Sequence, residues 1–257
     1  MRGIVQNAEI YFIFGKSVDA VSEYCYNNYS DTMSEHNAVC MIKKGEVFMP
    51  KGSPELTASR KEEIINACEK LYQTMSFKEI TIKEIGAVTS FTRTSIYNYF
   101  QTKEEIFLAL MQREYENWAA EMNALAENNE SMSADEFAYA VAHSLESHEQ
   151  LLKLLAMNHY DMEENSRPER LTEFKVAYGA SLDAVRGCVR KFFPETDCES
   201  FIFVFFPFLF GVYPYSVATE KQLSAMREAN MKFRMHSIYE IIYSCVMQLL
   251  GGKNEVH

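Results

Sequence analysis

No stretch of this 257-residue chain alternates apolar and polar residues with the period of two that a half-buried strand requires, and no segment repeats. Strand architectures and repeat solenoids drop out, leaving helices. Six cysteines, at 25, 40, 68, 188, 198 and 245, form no C-x-x-C pair and no metal-type spacing. Neither a zinc site nor a disulfide scaffold is implied, and the usage suits a reducing cytoplasm. No H-E-x-x-H, nucleophile elbow or phosphate loop is present, which removes the usual signatures of an enzyme. The longest apolar stretch, 201–212, is broken by Pro207 and Gly211 and falls short of the roughly 20 residues of a membrane span. It reads as a buried helix, with no membrane partner expected. The opening Met1-Arg2-Gly3 with an early Glu9 makes a poor secretion signal. Basic charge is also scarce, the formal net charge being −11.

What the chain has in quantity is helix starts. Thr81 with Glu84, Thr102 with Glu105 and Ser59 with Glu62 each spell T/S-x-x-E, the capping-box pattern, and Thr92 can cap a short helix between them. These caps predict helices over 59–75, 81–88 and 92–100, then a long one from Thr102. In the first, Ile64, Cys68, Leu71 and Met75 form an apolar stripe, and Ile82, Ile85, Phe91, Ile96 and Phe100 supply its partner. With those turned inward, helical spacing sets Arg93, Thr94, Tyr97 and Asn98 outward. An Arg matches a guanine edge and an Asn an adenine edge in the DNA major groove. The Thr side chains and Tyr97 suit phosphate oxygens, and Thr81, Thr92, Ser95 and Tyr99 join the DNA-binding candidates. The N–H groups opening the helices at Thr81 and Thr102, with the Lys103 ammonium, make further phosphate sites. The bland alternative is core for Phe100 and part of Tyr99, and a solvated face for Arg93, Asn98, Arg60 and Lys61.

The run T-R-T-S-I-Y-N-Y-F-Q-T-K-E-E-I-F over 92–107, preceded by T-I-K-E-I and a turn, resembles the DNA-binding region of the TetR family of bacterial repressors. The resemblance covers about 59–110. It implies an all-α protein: an N-terminal helix-turn-helix domain of three helices, and a larger C-terminal bundle that binds a small-molecule effector and forms a homodimer. The chain departs from the pattern at Ser90, where such proteins usually have Gly at the turn, and at Thr94, where they have Gly or a small residue. A left-handed turn at Ser90 would be costly.

Charge distribution fits. Residues 1–52 sum to −1, 53–103 to +1 (7 basic against 6 acidic) and 104–257 to −11, so the motif lies in the least acidic part. Three divisions follow: an extension over 1–52, a DNA-binding head over 53–103, and an effector-binding and dimerisation body over 104–257. The extension lacks caps and a sustained period, and Lys43, Lys44, Gly45 and Glu46 have purine-rich codons like a ribosome-binding site. We therefore expect the native start at Met49, with 1–48 weakly structured if made.

In the body, a long helix carries Ile106, Phe107, Leu110, Met111, Tyr115, Trp118, Met122 and Leu125 up to the polar break at 127–133. Ser133 and Glu136 open a helix through about Tyr160, a polar loop fills 161–169, and helices follow near 170–193, 197–217 and 220–250. Gly251-Gly252 ends the last one. Tyr115, Trp118, Tyr139, His143, Met157, Tyr160, Phe174 and Tyr178 are the effector-pocket candidates, because aromatic and Met linings suit a bulky apolar ligand. Phe201, Phe205 and Phe208 with Tyr239, Ile242, Tyr243 and Val246, in a stripe that runs on to Met247 and Leu250, are the dimer-face candidates. No cofactor or metal is expected. Two other classes remain: a helical interaction module with a degenerate DNA-binding head, and a metal-dependent enzyme built on His143, His148, His159, Asp161 and Glu163. His143 and His148, five apart, fall on different faces of a helix.

Overall fold

The computed structural model describes residues 53–157 and 159–251, without the side chain of His159. The expected extension, its start at Met49 and the tail beyond Gly251 lie outside the described residues. All regular structure among them is helical, in eleven helices. The head comprises α1 (Pro54–Tyr72), α2 (Ile82–Ala87) and α3 (Arg93–Ile96). Helix α1 starts before Ser59: Pro54 fits the first helical position, where its missing N–H costs nothing, and Ser53 caps by accepting from Leu56 N. Thr81 and Thr92 cap α2 and α3 as expected, accepting from Glu84 N and Ser95 N. Helix α3 is shorter than the expected 92–100. From Tyr97 the chain tightens, with Asn98 N donating to Ser95 O (3.2 Å) and Tyr99 N to Ile96 O (2.9 Å). Ile64, Cys68, Ile85, Ile96 and Phe100 meet in one core beneath it.

The body follows as α4 (Lys103–Asn128), α5 (Ala134–Ser147), α6 (Glu149–Leu155), α7 (His159–Glu164), α8 (Pro168–Phe192), α9 (Cys198–Ser216), α10 (Glu220–Glu228) and α11 (Ile238–Leu249). Helix α4 packs along α8, α5 against α11, and α9 against α6, α8 and α11. The Ser133–Glu136 capping box is present in full. Two long helices of the sequence reading divide. The one from Ser133 breaks at His148 and again before α7, which occupies part of the expected 161–169 loop. The one over 220–250 breaks between α10 and α11, where Asn230 takes a left-handed φ of 51°.

His148, at the first break, lies against α4, with Nε2 3.0 Å from Glu121 and Nδ1 3.7 Å from Glu114. His143 instead pairs with Glu146, and Glu163 with Lys175 at 2.6 Å. His143, His148 and Glu163 of the set behind a metal enzyme thus have separate partners, and no group of three metal-type ligands occurs among the described residues.

The apolar stretch 201–212, which reads as a buried helix, lies within α9. At 19 residues this helix is long and apolar enough to cross a membrane by length and composition, yet it has two faces. Phe201, Ile202, Phe205, Phe206, Leu209 and Val212 fill the core, while Phe203 (71% exposed), Val204 and Tyr215 face outward. Four dimer-face candidates are therefore corrected: Phe201, Phe205, Ile242 and Val246 are buried within the protomer, because their side of each helix meets its own neighbours. Phe208, Tyr239 and Tyr243 are half-buried against the same core.

The head is tied to the body by polar contacts. Arg113 of α4 reaches Glu62 (2.5 Å) and Glu69 (2.6 Å) of α1, and Lys153 of α6 donates to Tyr72 O (2.6 Å) while lying 4.0 Å from the Tyr72 ring centre.

The Glu114 carboxylate raises the His148 pKa, burial opposes it, and Glu121 adds to the rise. The folded protein thus holds this proton more tightly than the unfolded chain. Its stabilisation is complete below the ordinary histidine range and is lost as pH rises through the raised value. We expect His148→Gln to lower stability by about 1–2 kcal/mol at pH 6 and by less at pH 8, read from denaturant unfolding. A pH-independent difference contradicts it.

Candidate nucleic-acid interface

The Thr92 hydroxyl lies 3.0 Å from that of Ser95, so these two DNA-binding candidates meet each other at the α3 cap. Beyond the cap, Arg93, Thr94, Tyr97 and Asn98 are all exposed above buried Ile96 and Phe100, as the spacing implied. Arg93 bends back along the helix: Nη2 donates to the Tyr97 hydroxyl (3.2 Å), and its guanidinium lies 5.9 Å from the Tyr97 ring centre. The pair is a pre-set donor group one turn long. Thr94 and Asn98 make no side-chain hydrogen bond among the described residues, so their polar groups face outward. Exposed Lys83 on α2 adds a cation that spacing alone did not single out.

Several expected contacts turn inward instead. Lys103 donates to Phe77 O (2.7 Å) and Ile80 O (3.2 Å) and sits 4.0 Å from the Phe77 ring centre, where its charge closes the turn before α2. Thr102 Oγ1 donates to Asn165 O (2.9 Å), so its hydroxyl is engaged by the α7–α8 segment. Tyr99 is half-buried beside Phe91, and its hydroxyl accepts from Arg60 Nη1 (3.1 Å). Thr81 is exposed, with its oxygen engaged by the α2 cap.

The turn between α2 and α3 solves the Ser90 problem differently. Among the described non-glycine residues only Asn230 has a positive φ, so Ser90 is not left-handed. Its N–H donates to Glu63 Oε1 of α1 (2.6 Å), which pins the turn from outside. That carboxyl is held below the ordinary range by the Ser90 N–H and then the Ser90 hydroxyl.

Glu105 also departs from its expected role. Rather than returning to Thr102 N to complete a box, it is fully buried and accepts from Gln101 N (2.8 Å) and from Arg167 N, Nε and Nη2 (3.1, 2.7 and 2.9 Å). Burial pushes its carboxyl up, but the guanidinium and these N–H donors outweigh burial and hold it below the usual carboxylate range. Neither Glu63 nor Arg167 carries a local pattern that marks it, since both act across 27 residues or more.

The effector candidates split. Tyr115, Trp118, Phe174 and Tyr178 meet with Phe206 between α4, α8 and α9, at ring-centre distances of 5.3 Å (Tyr115–Tyr178) to 6.0 Å (Tyr115–Phe174). Trp118 Nε1 is buried there without a hydrogen-bond partner among the described residues. Met157 packs half-buried at the core's edge. Tyr139, His143 and Tyr160 are exposed and do not join this cluster. The first two stack instead beside Tyr239 across α5 and α11.

Residues 64–110 match the family model described as bacterial regulatory proteins, tetR family, and residues 112–239 match the tetracyclin repressor-like C-terminal domain. Among solved structures, the chain is similar to a TetR-family transcriptional regulator from Mesorhizobium loti MAFF303099 (15% identity, 76% of this chain and 96% of that one, TM-score 0.50). It is also similar to the fatty acid degradation regulator FadR from Bacillus halodurans (15%, 79% and 97%, TM-score 0.47) and to FadR from Bacillus subtilis in complex with stearoyl-CoA (16%, 75% and 99%, TM-score 0.46). At these identities the likeness concerns the fold alone. No curated protein matches the chain.

Because Ser90 is not left-handed, restoring glycine there should not help. We expect Ser90→Gly to destabilise by about 0.4–1 kcal/mol through the freer unfolded chain, measured by thermal unfolding. A gain in stability contradicts this account of the turn.

Proposed function

Because this chain belongs to the TetR family of bacterial regulatory proteins, we propose that it binds a palindromic operator as a homodimer in the cytoplasm and represses until a small molecule occupies its helical body. The observation that carries the reading is the exposed row Arg93, Thr94, Tyr97 and Asn98 above a fully buried underside, on a helix pair fixed by the Thr81 and Thr92 caps and by Glu63. Such a row enters the major groove with its donors and acceptors at base edges. Residues 53–103 act as the head and 104–257 as the body.

A palindrome needs two heads about one DNA turn, roughly 34–36 Å, apart, and therefore a two-fold contact. The outward face of α9, with Phe203, Val204, Pro207 and Tyr215, supports that role, because it is apolar and exposed in one protomer. The effector reading rests on the aromatic cluster around Trp118. An apolar molecule with one hydrogen-bond acceptor would satisfy its buried N–H. The ligand must favour a conformer with altered head separation, since a ligand that binds both conformers equally moves nothing. The separate partners of His143, His148 and Glu163 leave no observation in favour of an enzyme.

Selection of bound duplexes from a random pool should return a two-fold consensus. Arg93→Ala and Asn98→Ala should each weaken the selected site by roughly 1–3 kcal/mol with the fold and dimer intact, and unchanged binding sinks the groove reading. Phe203→Glu combined with Val204→Glu should yield a monomer in sedimentation and abolish palindrome binding. A variant that stays dimeric excludes the α9 face. Trp118 is the only tryptophan, so its emission should respond to an effector, with stearoyl-CoA among the probes.

A further inference from the structure

The C-terminal end of the recognition helix is held by the body. Tyr99 O, one of the last carbonyls of the α3 turn, accepts from Arg167 Nη2 (3.2 Å) and Arg170 Nη2 (3.4 Å), two cations at the start of α8. The Arg170 guanidinium also lies 5.5 Å from the ring centre of Phe100, the residue that closes the turn. Arg167 is itself fixed from below by the buried Glu105, which also holds Gln101 N, the next amide along the chain. Thr102 binds Asn165 O in the same segment. The contacts thus bracket 99–102: those to Tyr99 and Thr102 come directly from a segment more than 60 residues away, and that to Gln101 comes through Glu105, which the same segment holds.

We propose that Arg167 is a positioning residue for DNA recognition: the 165–170 segment clamps the end of the recognition helix, and movement of α8 reaches the groove-reading face through this clamp. Cationic donors at the negative end of a helical turn suit that purpose. A body-borne clamp also differs in consequence from a signal carried by α4 alone. It controls the tilt of one short helix, where a shift of α4 would move the whole head. The proposal rests on the DNA-binding reading above.

The test uses the full chain with Arg167→Ala and Arg167→Lys. Arg186→Ala, which deletes an ion pair to Glu199 roughly 28 Å further along α8, serves as the stability comparison. Amide exchange without DNA should rise over 96–103 in Arg167→Ala and not in Arg186→Ala. Affinity for the selected palindrome should fall about tenfold or more in Arg167→Ala, while affinity for an unrelated duplex of the same length stays unchanged, and Arg167→Lys should recover part of the loss. If Arg167→Ala does not fold, Glu105→Gln, which keeps volume and weakens the clamp's charge, is read the same way. Exchange as in the wild type, or both affinities falling together as folded fraction falls, overturns the clamp. If the wild type selects no consensus, the DNA reading fails by itself, and the exchange arm still decides whether Arg167 holds the helix.

Discussion

A helix of four residues has no stability of its own, since isolated helices below about 12–15 residues are marginal in water. Everything on the proposed groove-reading face therefore depends on what fixes α3 from outside. Three separate devices do so. Beneath it, Ile96 and Phe100 are buried against Ile64, Cys68 and Ile85. Before it, the Ser90 N–H is held by Glu63 and the first turn by the Thr92 hydroxyl. After it, Tyr99 O is held by two arginines, of which Arg167 is itself anchored by the fully buried Glu105 carboxylate. Burying Glu105 is costly on its own. It is tolerated because a guanidinium and two backbone N–H groups meet it, and removing a single partner from such a set is more damaging than removing the whole set. That asymmetry ties the geometry of the head to the integrity of the body.

The body has the opposite problem, a surplus of apolar surface. Helix α9 is apolar around its whole circumference, but one protomer can cover only one side, because α6, α8 and α11 all lie on that side. The uncovered side leaves Phe203 and Tyr215 mostly in water, which is unfavourable for an isolated molecule and ordinary for one that pairs. A length and composition sufficient for a membrane and a face suited to self-association are two outcomes of the same excess. The buried core face of α9 and its place among packed helices favour the second.

What the sequence made legible was local. Thr81, Thr92, Thr102, Ser133 and the outward set at 93–98 were readable because a cap or a helical face is decided within four residues. Ser59 misled because Ser53-Pro54, six residues earlier, offers a better start, and a serine and glutamate three apart are also common inside helices. Glu105 looked like a capping-box partner until Arg167, far along the chain, claimed it. The split at His148 was hidden because its cause, two glutamates on α4, lies in another element. Aromatic residues were read as interior by type alone. Tyr115, Trp118, Phe174 and Tyr178 are close together, whereas Tyr139 and Tyr160 are exposed at the surface. Of the dimer-face candidates, those with perfect apolar spacing are buried for that very reason: the stripe that fits helical periodicity best is the one its own neighbours use.

The scarcity of positive charge gives the clamp its leverage. Non-specific affinity for DNA scales with the number of phosphates neutralised. Here Lys103 is committed to carbonyls and Arg60 to Tyr99, while Arg93 is shared with Tyr97. The head therefore brings few free cations, and the acidic body, at −11, adds repulsion. Affinity for a particular site must then come mainly from short-range pairing at base edges, which depends on angle and distance far more steeply than a Coulomb attraction does. A strongly basic head would remain bound through its charge after a small rotation of α3. On the proposed reading, a nearly neutral one depends on Arg93 and Asn98 staying in register, and the hold on Tyr99 O acts on that register.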